Sequence, residues 1–179
     1  MFPSSDEFVQ TYKEEALAGG IYTGTLTIDS SGTLGPLYIT GDLYVSMNRV
    51  ITLTGTIYVE GNIWAQKDSE FRGSGSIIAG GDIHLQKMAN FGTENDSVIM
   101  SIAGGISFDK EATLEALIYA PNGLVYFDKE ATITGAVVGS GIYGKKLNLF
   151  AYDPSFYDGF KLPGYKDPGF RVITYNINP

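Results

Sequence analysis

The sequence predicts an all-β fold: a right-handed parallel β-helix of about seven short turns, with a helix capping its start and an aromatic, proline-rich segment capping its end. Three observations predict it. Phe108-Asp109-Lys110-Glu111-Ala112-Thr113 recurs letter for letter as Phe127-Asp128-Lys129-Glu130-Ala131-Thr132, 19 positions later. A looser unit, apolar–polar–apolar–x–Gly–Asp/Asn–apolar–polar–apolar, occupies 37–45, 57–65 and 77–85. Anchors on the third residue of each copy (Tyr22, Ile39, Val59, Ala79, Ala103, Ala120 and Val138) are separated by 17, 20, 20, 24, 17 and 18 residues. Copies of about 20 residues that alternate internally cannot bury their apolar side alone, but stacked at about 4.8 Å they share one core. The right hand follows the usual hand of parallel crossovers. A sandwich of hairpins would run its copies in mirrored order, and these line up in register.

Residues 1–20 are predicted to form the capping helix. Ser4-x-x-Glu7 has the spacing of a capping box, Asp6 and Glu7 suit the positive end of the helix dipole, and Gly19-Gly20 supplies the stop. Phe8, Tyr12 and Ala16 recur every four residues and make one apolar face. Residues 21–150 form the β-helix: short strands of three to five residues broken by Gly, Asn and Asp, without helical periodicity. Glycine before Asp or Asn is expected at corners that need a positive φ. Residues 151–179 change character, with Pro154, Pro163, Pro168 and Pro179 among Phe and Tyr, and are assigned as the C-terminal cap. Both caps protect open β edges that would otherwise recruit another chain. At 179 residues the whole reads as a single domain.

Composition narrows the function classes. Net charge is −8 with 12 Lys and Arg, so no basic stripe exists for nucleic acid. No apolar run reaches the roughly 18 residues that a membrane span needs. Met1-Phe2-Pro3-Ser4 does not read as a signal peptide, which leaves a cytoplasmic protein or one whose leader lies outside this sequence. The absence of cysteine removes disulfides and thiolate chemistry.

Alternation places Leu37, Ile39, Leu43 and Val45 inside and Tyr38 and Tyr44 outside. Carried along the copies, it predicts an outer apolar column of Tyr38, Tyr58, Ile78, Ile102, Tyr119 and Val137. A column of this size requires a cover or a partner. The N-terminal helix or the aromatic tail is the first candidate for the cover, and a partner protein is the second. Tyr44, Trp64 and His84 form a second column, an aromatic ladder explained by packing between rungs or by stacking on carbohydrate or peptide. Asp42, Asn62 and Asp82 fall on one corner as turn residues. The two Asp-Lys-Glu copies should stack like on like, with diagonal salt bridges worth little each.

No catalytic residue is nominated, and no cofactor or metal is expected. His84 is the sole histidine, so a multi-histidine zinc site is unavailable and any Ser-His-Asp chemistry must pass through it. Gly139-Ser140-Gly141-Ile142-Tyr143-Gly144 matches G-x-G-x-x-G, but strand-like alternation follows it where a nucleotide site needs a helix. The stretch Gln86 to Asp96 is the one inter-copy loop long enough to wall a cleft.

Several runs carry a resemblance: Leu37-Tyr38-Ile39-Thr40-Gly41-Asp42-Leu43, Leu117-Ile118-Tyr119-Ala120-Pro121-Asn122-Gly123, Ile133-Thr134-Gly135-Ala136-Val137-Val138 and Phe150-Ala151-Tyr152-Asp153-Pro154. With the preceding helix, they resemble the β-helix domains of bacterial, large minor-pilin-like proteins associated with type IV pili, over about Ser5 to Asp158. The resemblance implies an extracellular, non-enzymatic module for adhesion or filament assembly. Its partners would be other pilus or cell-surface proteins and surface polysaccharide. Such proteins begin with a hydrophobic membrane helix, which this sequence does not contain. Bactofilins, cytoplasmic polymer-forming β-helices, are similar in a second way. A polysaccharide-active β-helix enzyme is the third alternative.

Overall fold

The computed structural model describes residues 5–87, 89–93, 97–146 and 149–151. Ser4 of the expected capping box and the expected cap over 152–179 lie outside them. The helix α1 (Ser5–Gly19) comes first. It stops at Gly20, whose φ of 126° carries the chain out of the helical region.

Short strands follow, three to a coil. The first coil is β1 (Ile21–Tyr22), β2 (Leu26–Ile28) and β3 (Gly32–Leu34); the second is β4 (Leu37–Ile39), β5 (Leu43–Val45) and β6 (Val50–Leu53). The third is β7 (Ile57–Val59), β8 (Ile63–Ala65) and β9 (Glu70–Gly73), and the fourth is β10 (Ile77–Ala79), β11 (Ile83–Leu85) and β12 (Asn90–Thr93). After β13 (Val98–Ser101) and β14 (Ile106–Lys110), the strands β15 (Thr113–Lys129) and β16 (Thr132–Lys146) run on around the corners to β17 (Leu149–Ala151). Every pairing between coils is parallel: β4 pairs β7, β5 pairs β8, β6 pairs β9, and so on to β16 with β17. The chain is therefore a three-sided parallel β-solenoid of about six turns, slightly fewer than the seven that the anchors suggested.

Inward side chains from all three sides make one continuous core. Ile39, Leu43, Val45, Ile57, Val59 and Ile63 are fully buried, and Leu37 packs against them. Aromatic rings fill its wider part, with Phe71 and Phe91 at 5.9 Å and Phe108 and Phe127 stacked at 5.0 Å and 5°. The letter-for-letter repeat lies in register there, Phe108 opposite Phe127 and Lys110 opposite Lys129.

Two anchors require correction. Ala79 pairs with Ser101 rather than Ala103, and Ala120 pairs with Gly139 rather than Val138. Ala-Gly-Gly occurs at both 79–81 and 103–105, and the letters align two residues away from the backbone register. The extra residues fall instead between β12 and β13 and between Ser101 and Ile106. In the last coils a register shift lies between Ala120 and Leu124.

The reason expected for the corner glycines also changes. Gly41, Gly61 and Gly81 are not among the residues with positive φ. They are glycine because the coils touch there. A Cβ on Gly61 would fall on Asp42 Oδ1, and one on Gly81 would fall on Asn62 Oδ1. On Gly41 it would stand 2.6 Å from the carbonyl carbon of Gly24.

Candidate functional site

Two outward columns distinguish this solenoid. Backbone register makes the first Ile21, Tyr38, Tyr58, Ile78, Met100, Tyr119 and Val138. Met100 and Val138 thus stand where Ile102 and Val137 were expected. Val137 pairs with Ile118 and packs on the interior core, while Ile102 lies past the end of β13 and still packs beside the column. Both displacements follow from the two anchor slips.

Helix α1 covers this column from Tyr38 onward and leaves Ile21 exposed. Phe8 and Ala16 are buried against Tyr38, Tyr58, Ile78, Val98, Met100, Leu117 and Ala136. Phe8 meets Tyr119 edge-on at 5.8 Å near the start of the helix, and Gly19 at its end lies so close to Pro36 that a Cβ would stand 2.6 Å from the proline ring. Eleven residues rise about 16 Å at 1.5 Å each. The rungs from Tyr38 to Tyr119 span four steps, roughly 19 Å. The match means that the helix lies along the solenoid axis. Phe8, Tyr12 and Ala16, spaced by four, supply the apolar stripe that this requires.

Polar contacts fix the dock. Tyr38 and Tyr58 stack at 5.3 Å and 10°, and Lys13 stands 5.2 and 5.7 Å from their centroids, a cation over two aromatic faces. The Tyr38 hydroxyl donates to Glu60. Burial first, and then the bond and charge of Glu60, hold the Tyr38 phenol well above its usual range. Burial raises Tyr58, with Glu60 adding to it, and burial alone raises Tyr119.

The second column lies on the adjacent side and reads Thr27, Tyr44, Trp64, His84, Ser107, Tyr126 and Tyr143. Tyr44 and Trp64 stack at 4.8 Å and 10°, and Tyr126 and Tyr143 stack at 5.5 Å and 8°. Tyr44 is 39% exposed and Tyr143 is 53% exposed. His84 is in register with Trp64, but both of its ring nitrogens have partners one rung on. Nδ1 lies 3.0 Å from Ser107 Oγ, and Nε2 lies 3.3 Å from Asp109 Oδ1. Ser107 and Tyr126 were not named from the sequence, and Asp109 and Tyr143 were named there only within the exact repeat and the G-x-G-x-x-G run, not as part of this column. The exact repeat could have found them, because aligning Phe108 with Phe127 puts Ser107 directly against Tyr126.

Polar columns flank these rings. On one corner, Asp42 Oδ1 accepts the Asn62 N–H at 2.8 Å, Asn62 Oδ1 accepts the Asp82 N–H at 2.8 Å, and Asp82 Oδ1 accepts the Gly105 N–H at 2.7 Å. Each side chain therefore satisfies a corner amide of the next coil, which the strand ladder cannot reach. On the other corner the Asp-Lys-Glu copies reach outward to further rungs. Lys87 pairs with Glu111 at 3.4 Å and Lys145 with Asp128 at 3.0 Å. Donation from Lys145 is the main reason that the Asp128 carboxyl titrates below its usual range.

The Ser107–His84–Asp109 chain has the order of a hydroxyl, a base and a carboxylate found in hydrolases. Ser107, however, lies inside a parallel ladder between His84 and Tyr126, where backbone amides pair with neighbouring coils rather than converge on an oxyanion. The G-x-G-x-x-G run is internal to β16, and among the described residues strand and not helix follows it. The stretch Gln86 to Asp96 holds β12, so much of it is coil wall rather than loop. Among the described residues, no group of three or more His, Asp or Glu is arranged to hold a metal ion. No helix among them is long and apolar enough to cross a membrane.

No curated protein and no solved structure matches this chain significantly. The family model DUF7305, described as a domain of unknown function, matches residues 21–158, starting at β1 and spanning every coil. The match covers the solenoid, and the chain belongs to the DUF7305 family.

Proposed function

We propose that this domain is a non-enzymatic structural and interaction module of the bacterial surface, associated with a type IV pilus or pseudopilus and acting in adhesion or filament assembly. The observation that carries this reading is α1 seated lengthwise on the outer apolar column. Helix and solenoid form one body, with the helix as a spine and the aromatic side left open. That is the arrangement expected of a pilin-like protein, whose helix joins a filament while its β domain faces outward. The resemblance in the runs around Gly41, Pro121 and Gly135 supports the same reading.

The test is cell fractionation in the native host. The protein should be biotinylated on intact cells and should come off with sheared surface filaments. Recovery from the cytosol alone, protected from the reagent, would overturn the proposal in favour of a cytoplasmic scaffold.

A further inference from the structure

The two ends of the solenoid differ. Helix α1 runs along its side from the Tyr119 rung to Pro36, so Ser5 lies towards the last coils, where β17 also brings the chain to Ala151. The first coil, β1 to β3, is the opposite end. Among the described strands, β1 pairs with β4 alone, β2 with β5 and β3 with β6. The second coil bonds the carbonyls of Gly20, Tyr22, Ile28 and Leu34 and the N–H of Leu26. Backbone groups alternate in direction along a strand. The N–H and C=O of Ile21, Thr27 and Thr33, one residue on each side of the coil, therefore point off the end, where no described strand meets them.

This end is also apolar and almost uncharged. Ile21 is 62% exposed, and Leu26, Ile28 and Leu34, which pack against the core, are only half-buried. A Cβ added at Gly20, Gly24 or Gly32 would touch nothing. In a chain of net charge −8, Asp29 is the one charged residue within 20–36, and lysine, a common guard of exposed edges, is missing there.

Unpaired backbone groups in a row require another β edge, which a sugar or a lipid does not supply. One strand from a partner would serve a single side and leave two bare. A second first coil fits all three sides at once, because it has the same three-sided outline and almost no charge to oppose it. Turned over by a two-fold axis, it runs antiparallel along every side. The three outward residues of one copy then meet the three of the other, and each pair exchanges two hydrogen bonds.

We propose that the first coil is a docking tip that pairs edge to edge with the first coil of a second copy of this chain. On the side that the axis crosses, one of Ile21, Thr27 and Thr33 meets its own counterpart. Residues 20–36 are fewer than the about 20–30 per partner of a standard interface, so the dimer is weak and forms with rising concentration. Under the filament reading the tip faces away from the start of α1, and its pairing joins one filament to another. The pairing itself rests on the tip alone, so its failure would leave that reading untouched.

The chain has no cysteine, so single introduced cysteines report on contact. Sedimentation equilibrium of the full chain should show monomer giving way to dimer as concentration rises. Under mild oxidation, one of Ile21→Cys, Thr27→Cys and Thr33→Cys should form a disulfide-linked dimer, since paired Cα atoms stand about 5.5 Å apart. Tyr143→Cys, on the last coil, should not. Thr27→Pro removes an outward N–H and spares the bonds that Leu26 and Ile28 make to the second coil. It should weaken dimerisation by roughly tenfold or more. Ile21→Lys, at an exposed position, should do the same through charge. Three results would overturn the proposal. One is a monomer up to about 1 mM, meaning that residues 152–179 or another protein cover the tip. The others are linkage through Tyr143→Cys instead of the three tip variants, and dimerisation unchanged in both Thr27→Pro and Ile21→Lys.

Discussion

Glu15 of the helix accepts both the backbone N–H and the hydroxyl of Thr56, at 3.3 and 2.7 Å, across 41 residues of sequence. Thr56 is almost fully buried, so these two donors depend on the helix for satisfaction. Glu15→Ala should destabilise the domain by about 1–3 kcal/mol, the usual result of orphaning a buried polar group. Glu14→Ala removes only an exposed bond to Gln10 and should change little. Urea unfolding of the two variants side by side checks this.

Tyr58→Glu addresses the same interface from the solenoid side. Tyr58 is 7% exposed, stacked on Tyr38 beneath Lys13. A carboxylate there would be buried next to Glu60, and a loss of about 3 kcal/mol or more is expected. A melting temperature within a degree or two of wild type would mean that the helix does not rest on this column.

Alkaline pH should loosen the helix. Tyr38, Tyr58 and Tyr119 keep their protons above the usual tyrosine range in the folded chain, chiefly through burial. Unfolded, they ionise near pH 10. The stability that they contribute is therefore intact below about pH 10 and is lost as the pH climbs beyond it. Melts by circular dichroism between pH 8 and pH 11, values on either side of about 10, should show a decline that is shallower in Tyr38→Phe.

Gly61→Ala should cost about 1–3 kcal/mol, because the added methyl displaces Asp42 Oδ1 from its bond to the Asn62 N–H and crowds the Gly41 carbonyl. Asp42→Ala should relieve part of it, giving a coupling of about 0.5–3 kcal/mol in a double-mutant cycle. Strict additivity would show that the corner is looser than described.

Glu111 and Glu130 hold φ of 57° and 59°, at the corner position that Asn48 and Asp68 occupy on earlier coils. A left-handed backbone costs a residue such as glutamate about 1–2 kcal/mol, and glycine far less. Glu130→Gly should stabilise by about 0.5–1 kcal/mol once the entropy of glycine is set against the relief. Glu111→Gly should gain less, because it also loses the ion pair with Lys87. Thermal melts of the two variants decide the order.

The fold was legible because burial imposes period two within a strand and stacking imposes a period near 20 between coils, and both survive in the letters. Tyr38, Tyr58 and Tyr119 could be placed outside their strands for that reason. The letters could not say how a coil absorbs an extra residue. Corners take insertions without disturbing the ladder, so matching Ala103 to Ala79 placed Ile102 where Met100 belongs. Glycine was read for the angle it allows, whereas Gly61 and Gly81 are required by contact with a neighbouring coil. The candidate site was half visible. Tyr44 and Trp64 belong to the ladder, but His84 turns to Ser107 and Asp109, a choice set by hydrogen bonding between coils rather than by spacing.

The lengthwise seat of α1 has a mechanical consequence. A tether pulling on the first coil alone would open the stack like a zipper, one ladder at a time, which needs little force. A tether pulling through α1 instead loads contacts from Pro36 to Tyr119 together, in shear, and all of them must slip at once. A part joined to its surroundings through this helix is consequently built to hang under strain without unravelling.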